Sequence, residues 1–150
     1  MEFSKEINQT KPFNNERIKA MLNVVYTANK QQEQMVELLK PYKINDQHYN
    51  ILRILKGRNG EPATPGQVKE VLLNSRGDLT RLVDKLVKME FVSRGHSPHD
   101  RRSVELLITN QGAGILAVIA KDFDANQVYD FQLTEQEAKQ LNILLDKLRG

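Results

Sequence analysis

The chain of 150 residues contains no cysteine. It can therefore form neither a disulfide nor a thiol switch, which excludes sensing by cysteine oxidation. No segment approaches the run of about 20 apolar residues that a membrane-spanning helix needs. The first six residues, Met1–Glu6, also lack the apolar core of a signal peptide. We therefore expect a cytoplasmic protein.

Motifs that carry catalysis are missing as well. The sequence has no G-x-S-x-G, no P-loop, no H-E-x-x-H and no G-x-G-x-x-G. The three histidines are too scattered for a catalytic triad. His96 and His99 lie close together, but they have no third close ligand and are followed by arginines, which makes a poor metal site. We expect neither an enzyme nor a protein that needs a metal or cofactor.

The positive charge of the chain is unevenly distributed. The formal net charge is only +3, and the length is that of one globular domain. Positions 76–102 contain seven Lys or Arg against four Asp or Glu, whereas positions 121–150 contain four against six. Such a concentration of positive charge is typical of a nucleic-acid-binding surface, although a solvated basic face gives the same pattern.

The stretch from Ser75 to Thr109 has the pattern of a helix, a basic loop and a strand. Apolar residues recur at helical spacing on one face of the predicted helix, and the opposite face is polar. Two short strands, at 91–94 and 104–109, flank a cationic turn at 95–102. A polar-faced helix followed by a basic hairpin is typical of a winged helix-turn-helix. The apolar face comprises Leu79, Leu82, Val83, Leu86 and Val87, and the polar face Arg76, Thr80, Arg81, Asp84, Lys85 and Lys88.

Capping signals place further helices around this stretch. Thr64, Pro65 and Gln67 together predict the start of the first helix of the helix-turn-helix, and Ser75 with Asp78 is predicted to cap the second. Residues up to about 12 are polar and are expected to fray. Similar signals predict helices at about 13–40, after Asn45 or Asp46 up to Gly57, from Asn110 to Phe123, and after a capping box at Thr134–Glu137.

At several of these positions the sequence resembles the MarR family of bacterial transcription regulators. The resemblance implies a mainly α fold: a winged helix-turn-helix lobe at about 45–112 with a two-stranded β-hairpin wing, and dimerisation helices at about 13–40 and 110–149, in a single domain. In that family the recognition helix lies in the major groove, the wing tip reaches the minor groove, and the protein is a homodimer. The matching residues are Thr80–Leu86, Val92, Arg94, Asp100, Arg101, Arg102, Ser103, Leu107–Thr109 and Gly112.

A double-stranded DNA-binding surface follows from this resemblance. Arginine can bind guanine through two hydrogen bonds, which suits Arg76 or Arg81, whereas Lys85 is expected to meet phosphates. By resemblance Arg102 enters the narrow minor groove, with Asp100 pairing with it and shaping the tip. The complete predicted DNA-binding set is Thr64, Arg76, Gly77, Thr80, Arg81, Lys85, Arg94, His96, Asp100, Arg101 and Arg102.

The apolar stripes of the outer helices need to be covered, either by their own chain or by a second subunit. A homodimer is the favoured prediction, and its two-fold symmetry predicts a pseudo-palindromic operator. Family habit favours a repressor over an activator. The predicted dimer interface comprises Phe13, Ile18, Leu22, Leu141, Leu144, Leu145 and Leu148.

Two further expectations concern ligands and an alternative function. Members of the family often respond to small phenolic or anionic ligands, and Tyr26, His48 and Tyr49 are candidates here by location, although aromatic residues at such positions are also common in cores. The alternative function is a winged-helix protein–protein interaction module that does not bind DNA.

Glu90 departs from the family pattern. The family usually has glycine at the first position of a G-L-V segment, which here reads Glu90-Phe91-Val92. If Glu90 adopts the left-handed turn that glycine would supply, the cost is on the order of 1 kcal/mol. Otherwise the turn differs, and the angle at which the wing leaves the helix differs with it.

Overall fold

The computed structural model describes residues 2–73, 78–98, 100, 102–126 and 132–150. Its helices and single antiparallel hairpin confirm the predicted fold class, mainly α with a two-stranded wing. In chain order the elements are α1 (Phe3–Glu6), α2 (Glu16–Leu39) with a 3₁₀ turn at Lys40–Tyr42, α3 (Asp46–Gly57), α4 (Pro65–Val71), α5 (Leu79–Lys88), β1 (Val92–His96), β2 (Val104–Ile108), α6 (Asn110–Ala125) and α7 (Glu135–Arg149).

The chain divides into two compact units, Met1–Leu116 and Ala117–Gly150. In the first unit α3 packs against α2, α4, α5 and β2. The second unit contains α7 and the C-terminal part of α6, in which Ile119 and Phe123 are buried. The single-domain organisation stays a prediction. None of the helices in the described part of the chain has the length and apolar character required to cross a bilayer.

Most of the predicted helix starts are confirmed. Asn15 caps α2, and capping boxes begin α3 at Asn45, α4 at Thr64 and α7 at Thr134. The start of α5 differs from the prediction, because Asp78 itself is the cap and its carboxylate accepts the amide hydrogens of Thr80 and Arg81. A carboxylate at this position also complements the positive end of the helix dipole.

The N-terminal segment does not match the expectation of fraying. Residues Phe3–Glu6 form α1, in which Phe3 is buried. Its ring stacks on that of Phe13, with centroids 6.0 Å apart, and meets the ring of Tyr26 at 5.6 Å. The buried Phe3 ring helps to hold the segment against α2, because burying an aromatic ring removes a large apolar area from water. The ion pair between Glu2 and Lys19, at 3.8 Å, joins the same two parts of the chain.

The core of the first unit lies where α3, α4, α5 and the hairpin meet. Leu106, at the centre of β2, is fully buried, and its backbone exchanges hydrogen bonds of 2.8 and 3.0 Å with Ala63 in front of α4. This pairing ties the hairpin to the helix-turn-helix. The fully buried aliphatic side chains here are Ile51, Leu52, Leu55, Val68, Leu86, Val92 and Leu106.

Glu90 does adopt the left-handed turn, with φ of 60°. Its amide donates to the Val87 carbonyl, and the Phe91 amide donates to the Leu86 carbonyl, each at 2.9 Å. This pair of bonds is the Schellman arrangement that ends many helices. The turn therefore has the form that glycine would give it, and the strain falls on a residue with a side chain.

Replacing the residue at this turn tests that strain. The change Glu90→Gly is expected to raise the free energy of unfolding by up to about 1 kcal/mol, because glycine adopts a positive φ without a steric cost. Urea denaturation measures the difference. Glu90→Ala is the matched control, since it removes the carboxylate but keeps the Cβ; equal stability of the two variants would contradict a strained turn.

Candidate nucleic-acid interface

Helix α5 separates a buried face from a charged one. Leu82, Val83 and Leu86 are buried against the first unit, as the spacing of apolar residues predicts. The opposite face is exposed and comprises Thr80, Arg81, Asp84, Lys85 and Lys88. Because three of these five side chains are cations, the helix presents a basic surface to solvent.

An ion pair joins this face to the wing. The Arg94 guanidinium on β1 donates through Nη1 to Oδ1 of Asp84 at 2.6 Å. Both side chains remain about half exposed. Arg94, which the sequence predicts as a DNA contact, is therefore held against the one carboxylate in the exposed face of α5.

The wing is a regular hairpin with an aspartate-shaped tip. Its register runs from Val92 opposite Ile108 to His96 opposite Val104. At the tip the Asp100 carboxylate accepts the backbone amide hydrogen of Arg102 at 2.9 Å. Asp100 thus shapes the tip, as the resemblance implies, but it does so by accepting from the Arg102 backbone. It does not pair with the Arg102 side chain, which is exposed.

Of the other residues in the predicted DNA-binding set, the structure describes Thr64 and His96. Thr64 is half-buried, and its hydroxyl accepts the Gln67 amide hydrogen as the cap of α4. His96 is exposed at the end of β1. The predicted residues Arg76, Gly77 and Arg101 lie outside the described part of the chain, as do Ser75 and His99.

A cleft beside α5 was not anticipated by the sequence. It has a volume of about 350 Å³ and is lined by residues at the start of α3 and along α5. No local pattern signals it, because Gln47 and His48 meet α5 only through the packing of the two helices. The lining residues are Gln47, His48, Asp78, Arg81, Leu82 and Lys85.

His48 is a buried part of this cleft and of the α3 cap. Its Nδ1 accepts the Asn45 amide hydrogen at 3.2 Å, and its own amide donates to the Asn45 side chain at 3.0 Å. A neutral ring that accepts through Nδ1 carries its proton on Nε2. Burial, and next the nearby Lys85 ammonium, lower the pKa of His48 from 6.5 to about 4.

The three predicted ligand residues lie in separate surroundings. Tyr26 packs on Phe3, and the Lys30 ammonium lies 5.7 Å from its ring centroid. The Tyr49 ring faces the Arg53 guanidinium at 5.9 Å. Of the three, His48 alone lines the cleft beside α5.

The predicted dimer residues include several large exposed apolar side chains. On α2, Ile18 is 50% exposed and Leu22 38%, and on α7 Leu144 is 55% exposed. Phe13 and Leu145 are half-buried. These side chains form apolar surface of the kind that a partner covers. The exposed members on α7 are Leu141, Leu144 and Leu148.

Comparison with known proteins places this geometry in a family. Residues 42–103 match the model of the MarR family. The multiple antibiotic resistance protein MarR of Escherichia coli (strain K12) is 30% identical over 128 residues, which cover 83% of this chain and 88% of that protein.

Solved structures agree with the fold. A mutant of Escherichia coli MarR complexed with operator DNA has a TM-score of 0.76 at 28% identity, covering 92% of this chain and 99% of that one. BpsR of Bordetella bronchiseptica has a TM-score of 0.72 at 17% identity, over 93% of this chain and 98% of that one. In BpsR, 6-hydroxynicotinic acid regulates the binding of DNA.

The pKa of His48 makes the stability of the fold depend on pH. Well above pH 6.5 the ring is neutral in both the folded and the unfolded chain. As the pH falls from 6.5 towards 4, the unfolded chain takes up a proton that the folded chain does not, so the free energy of unfolding should decline by about 1–3 kcal/mol. Urea denaturation at several pH values measures this decline.

His48→Gln is the matched control for the pH effect. A glutamine carbonyl can accept the Asn45 amide hydrogen in the same capping box, but it does not titrate. Subtracting the free energy of unfolding of the variant from that of the wild type at each pH cancels the contribution of all other titrating groups. If both curves fall in parallel between pH 6.5 and 4, the role assigned to His48 is wrong.

Proposed function

This chain belongs to the MarR family of transcriptional regulators, and we propose that it binds duplex DNA as a homodimeric repressor in the cytoplasm. The observation that supports this most strongly is the exposed basic face of α5 beside the hairpin wing. A mutant of the related MarR of Escherichia coli, similar over almost its whole length, was solved with operator DNA. The relatives are regulators, and the chain is not an enzyme.

The proposed major-groove surface is the exposed face of α5. Thr80 and Arg81 lie in its first turn, where a recognition helix meets base edges. A bidentate arginine contact to guanine contributes roughly 1–3 kcal/mol of discrimination. Lys85 lies one turn further on, where its ammonium can neutralise a phosphate. Arg76 and Gly77, which precede α5 in the sequence, are further proposed DNA contacts.

The wing supplies the proposed minor-groove contact. Arg102 is exposed at the tip, and a narrow minor groove has a strongly negative potential that attracts arginine. Asp100 acts by holding the backbone of that turn. Arg101 precedes Arg102 in the sequence, and His96 ends β1. Thr64 at the start of α4 completes the proposed interface, and Arg94 in the middle of β1 borders it.

We propose a dimer because a protein that recognises two symmetry-related half-sites on DNA needs two copies of the surface formed by α5 and the wing. A two-fold pair places its recognition helices about 34 Å apart, one turn of DNA, and so reads a pseudo-palindromic operator. The exposed apolar side chains of α2 and α7 support such a pair, since a second copy would remove them from water.

A small-molecule effector is also part of the proposal. An aromatic or anionic ligand would release the DNA only if it bound the DNA-competent and incompetent forms with different affinities. Tyr26, His48 and Tyr49 are the proposed ligand residues. The alternative, a winged helix that contacts only protein, would leave the exposed cations of α5 without a phosphate partner.

The wing contact is tested by Arg102→Ala. We expect the affinity for DNA enriched by this protein from a random-sequence library to fall about tenfold, because a specific arginine contact contributes roughly 1–3 kcal/mol. Fluorescence anisotropy at physiological salt measures the affinity, and sedimentation checks that the oligomer is unchanged. The matched control is Lys30→Ala on α2, outside the proposed interface. Unchanged affinity of the Arg102 variant would contradict this docking, and no enrichment of DNA at all would favour the protein-contact alternative.

Sedimentation velocity tests the dimer. The chain at micromolar concentration should sediment with twice its 17.2 kDa mass. Leu141→Glu combined with Leu144→Glu should shift it to the monomer, because two carboxylates would be buried at the interface without partners. Gln140→Glu, on the same helix, is the control and should leave the dimer intact. A wild-type monomer would rule out the proposed assembly.

A further inference from the structure

The contact between Asp84 and Arg94 connects the two parts of the proposed DNA surface. Asp84 lies in the exposed face of α5, between Arg81 and Lys88 along the helix. Arg94 lies on β1, two residues before the strand ends at His96. The 2.6 Å contact therefore joins the helix proposed for the major groove to the hairpin proposed for the minor groove.

We propose that Arg94 is a positioning residue: its pairing with Asp84 fixes the wing relative to α5, and it does not itself bind DNA. The inference rests on the proposed function, because it assigns a role within that interface. It changes the expectation for Arg94 drawn from the sequence, in which this arginine is one more DNA contact.

The backbone at Arg94 is well placed to transmit such a constraint. Arg94 is opposite Leu106 in the hairpin, and Leu106 is buried and bonded to Ala63 on its other side. The base of the wing is thereby anchored to the body of the lobe. The ion pair adds a side-chain connection from α5 to the middle of β1, at the level of this anchor.

The charges support the same role. A carboxylate in the middle of a surface that faces phosphates would repel them, and the nearby guanidinium offsets that repulsion. The charge-assisted bond of 2.6 Å through Nη1 directs the Arg94 guanidinium towards Asp84 on α5. Exposed ion pairs contribute little to global stability, so the effect is expected in the local opening of the wing.

The first experiment uses the free protein and no DNA. In Asp84→Asn and in Arg94→Gln, the amide hydrogens of β1 should exchange up to about fivefold faster, which is the upper range for loss of an exposed ion pair. The exchange rates of the α2 amides should not change. The charge swap, Asp84→Arg with Arg94→Asp, should restore protection. Glu105→Gln, a carboxylate change on the other wing strand, is the matched control. Unchanged exchange in both single variants would overturn the inference and leave the proposed function standing.

The second experiment measures affinity for DNA enriched by the wild-type protein from a random-sequence library. Asp84→Asn should weaken binding about threefold to fivefold even though it removes a negative charge, because the wing loses its connection to α5. If Arg94 instead contacts DNA, Asp84→Asn should bind as tightly as the wild type or more tightly, and this result would refute the positioning role.

Salt dependence and the charge swap separate the two roles further. Arg94→Gln should leave the slope of log affinity against log salt unchanged, whereas loss of a phosphate contact would lower it by about one. The charge-swapped protein should recover most of the DNA affinity that the single variants lose. If it binds DNA no more tightly than Arg94→Gln, the positioning role is contradicted. Failure of the wild-type chain to bind any DNA would contradict the proposed function, and the exchange experiment would still test the pair.

Discussion

The turn that joins α5 to β1 holds in place the parts of the first unit that carry the proposed DNA surface. Glu90 turns the chain in a left-handed conformation, and its carbonyl accepts the Thr109 hydroxyl hydrogen at 2.6 Å. The next carbonyl, that of Phe91, accepts the Thr109 amide hydrogen at 3.1 Å. Gly112 passes so close that a Cβ there would lie 2.1 Å from the Phe91 oxygen. One short segment thus fixes the end of α5, the start of the wing and the start of α6.

Charge on this framework is arranged in two ways. Cations on the exposed face of α5 and at the wing tip give a surface suited to phosphates, while the carboxylates near it have structural tasks. Asp78 caps α5, Asp84 pairs with Arg94, and Asp100 holds the backbone at Arg102.

Features set by neighbouring residues could be predicted from the sequence. The caps at Thr64 and Thr134 and the two strands depend on a few adjacent positions, and local patterns predict them closely. Features set by packing could not be predicted. The Asp84–Arg94 pair spans ten residues across the turn, and the cleft containing His48 exists only because the start of α3 meets α5. The burial of Phe3 likewise depends on ring contacts with α2 and Phe13 that no local pattern signals.

The proposed mode of DNA reading requires that two copies of the α5-and-wing surface face one side of a duplex. Hydroxyl-radical footprinting of DNA enriched by this protein measures that arrangement. We expect two protected segments related by two-fold symmetry, centred about one helical turn, roughly 10 base pairs, apart or slightly more, with flanking protection from the wings. A single protected segment, or protection with no symmetry, would contradict it.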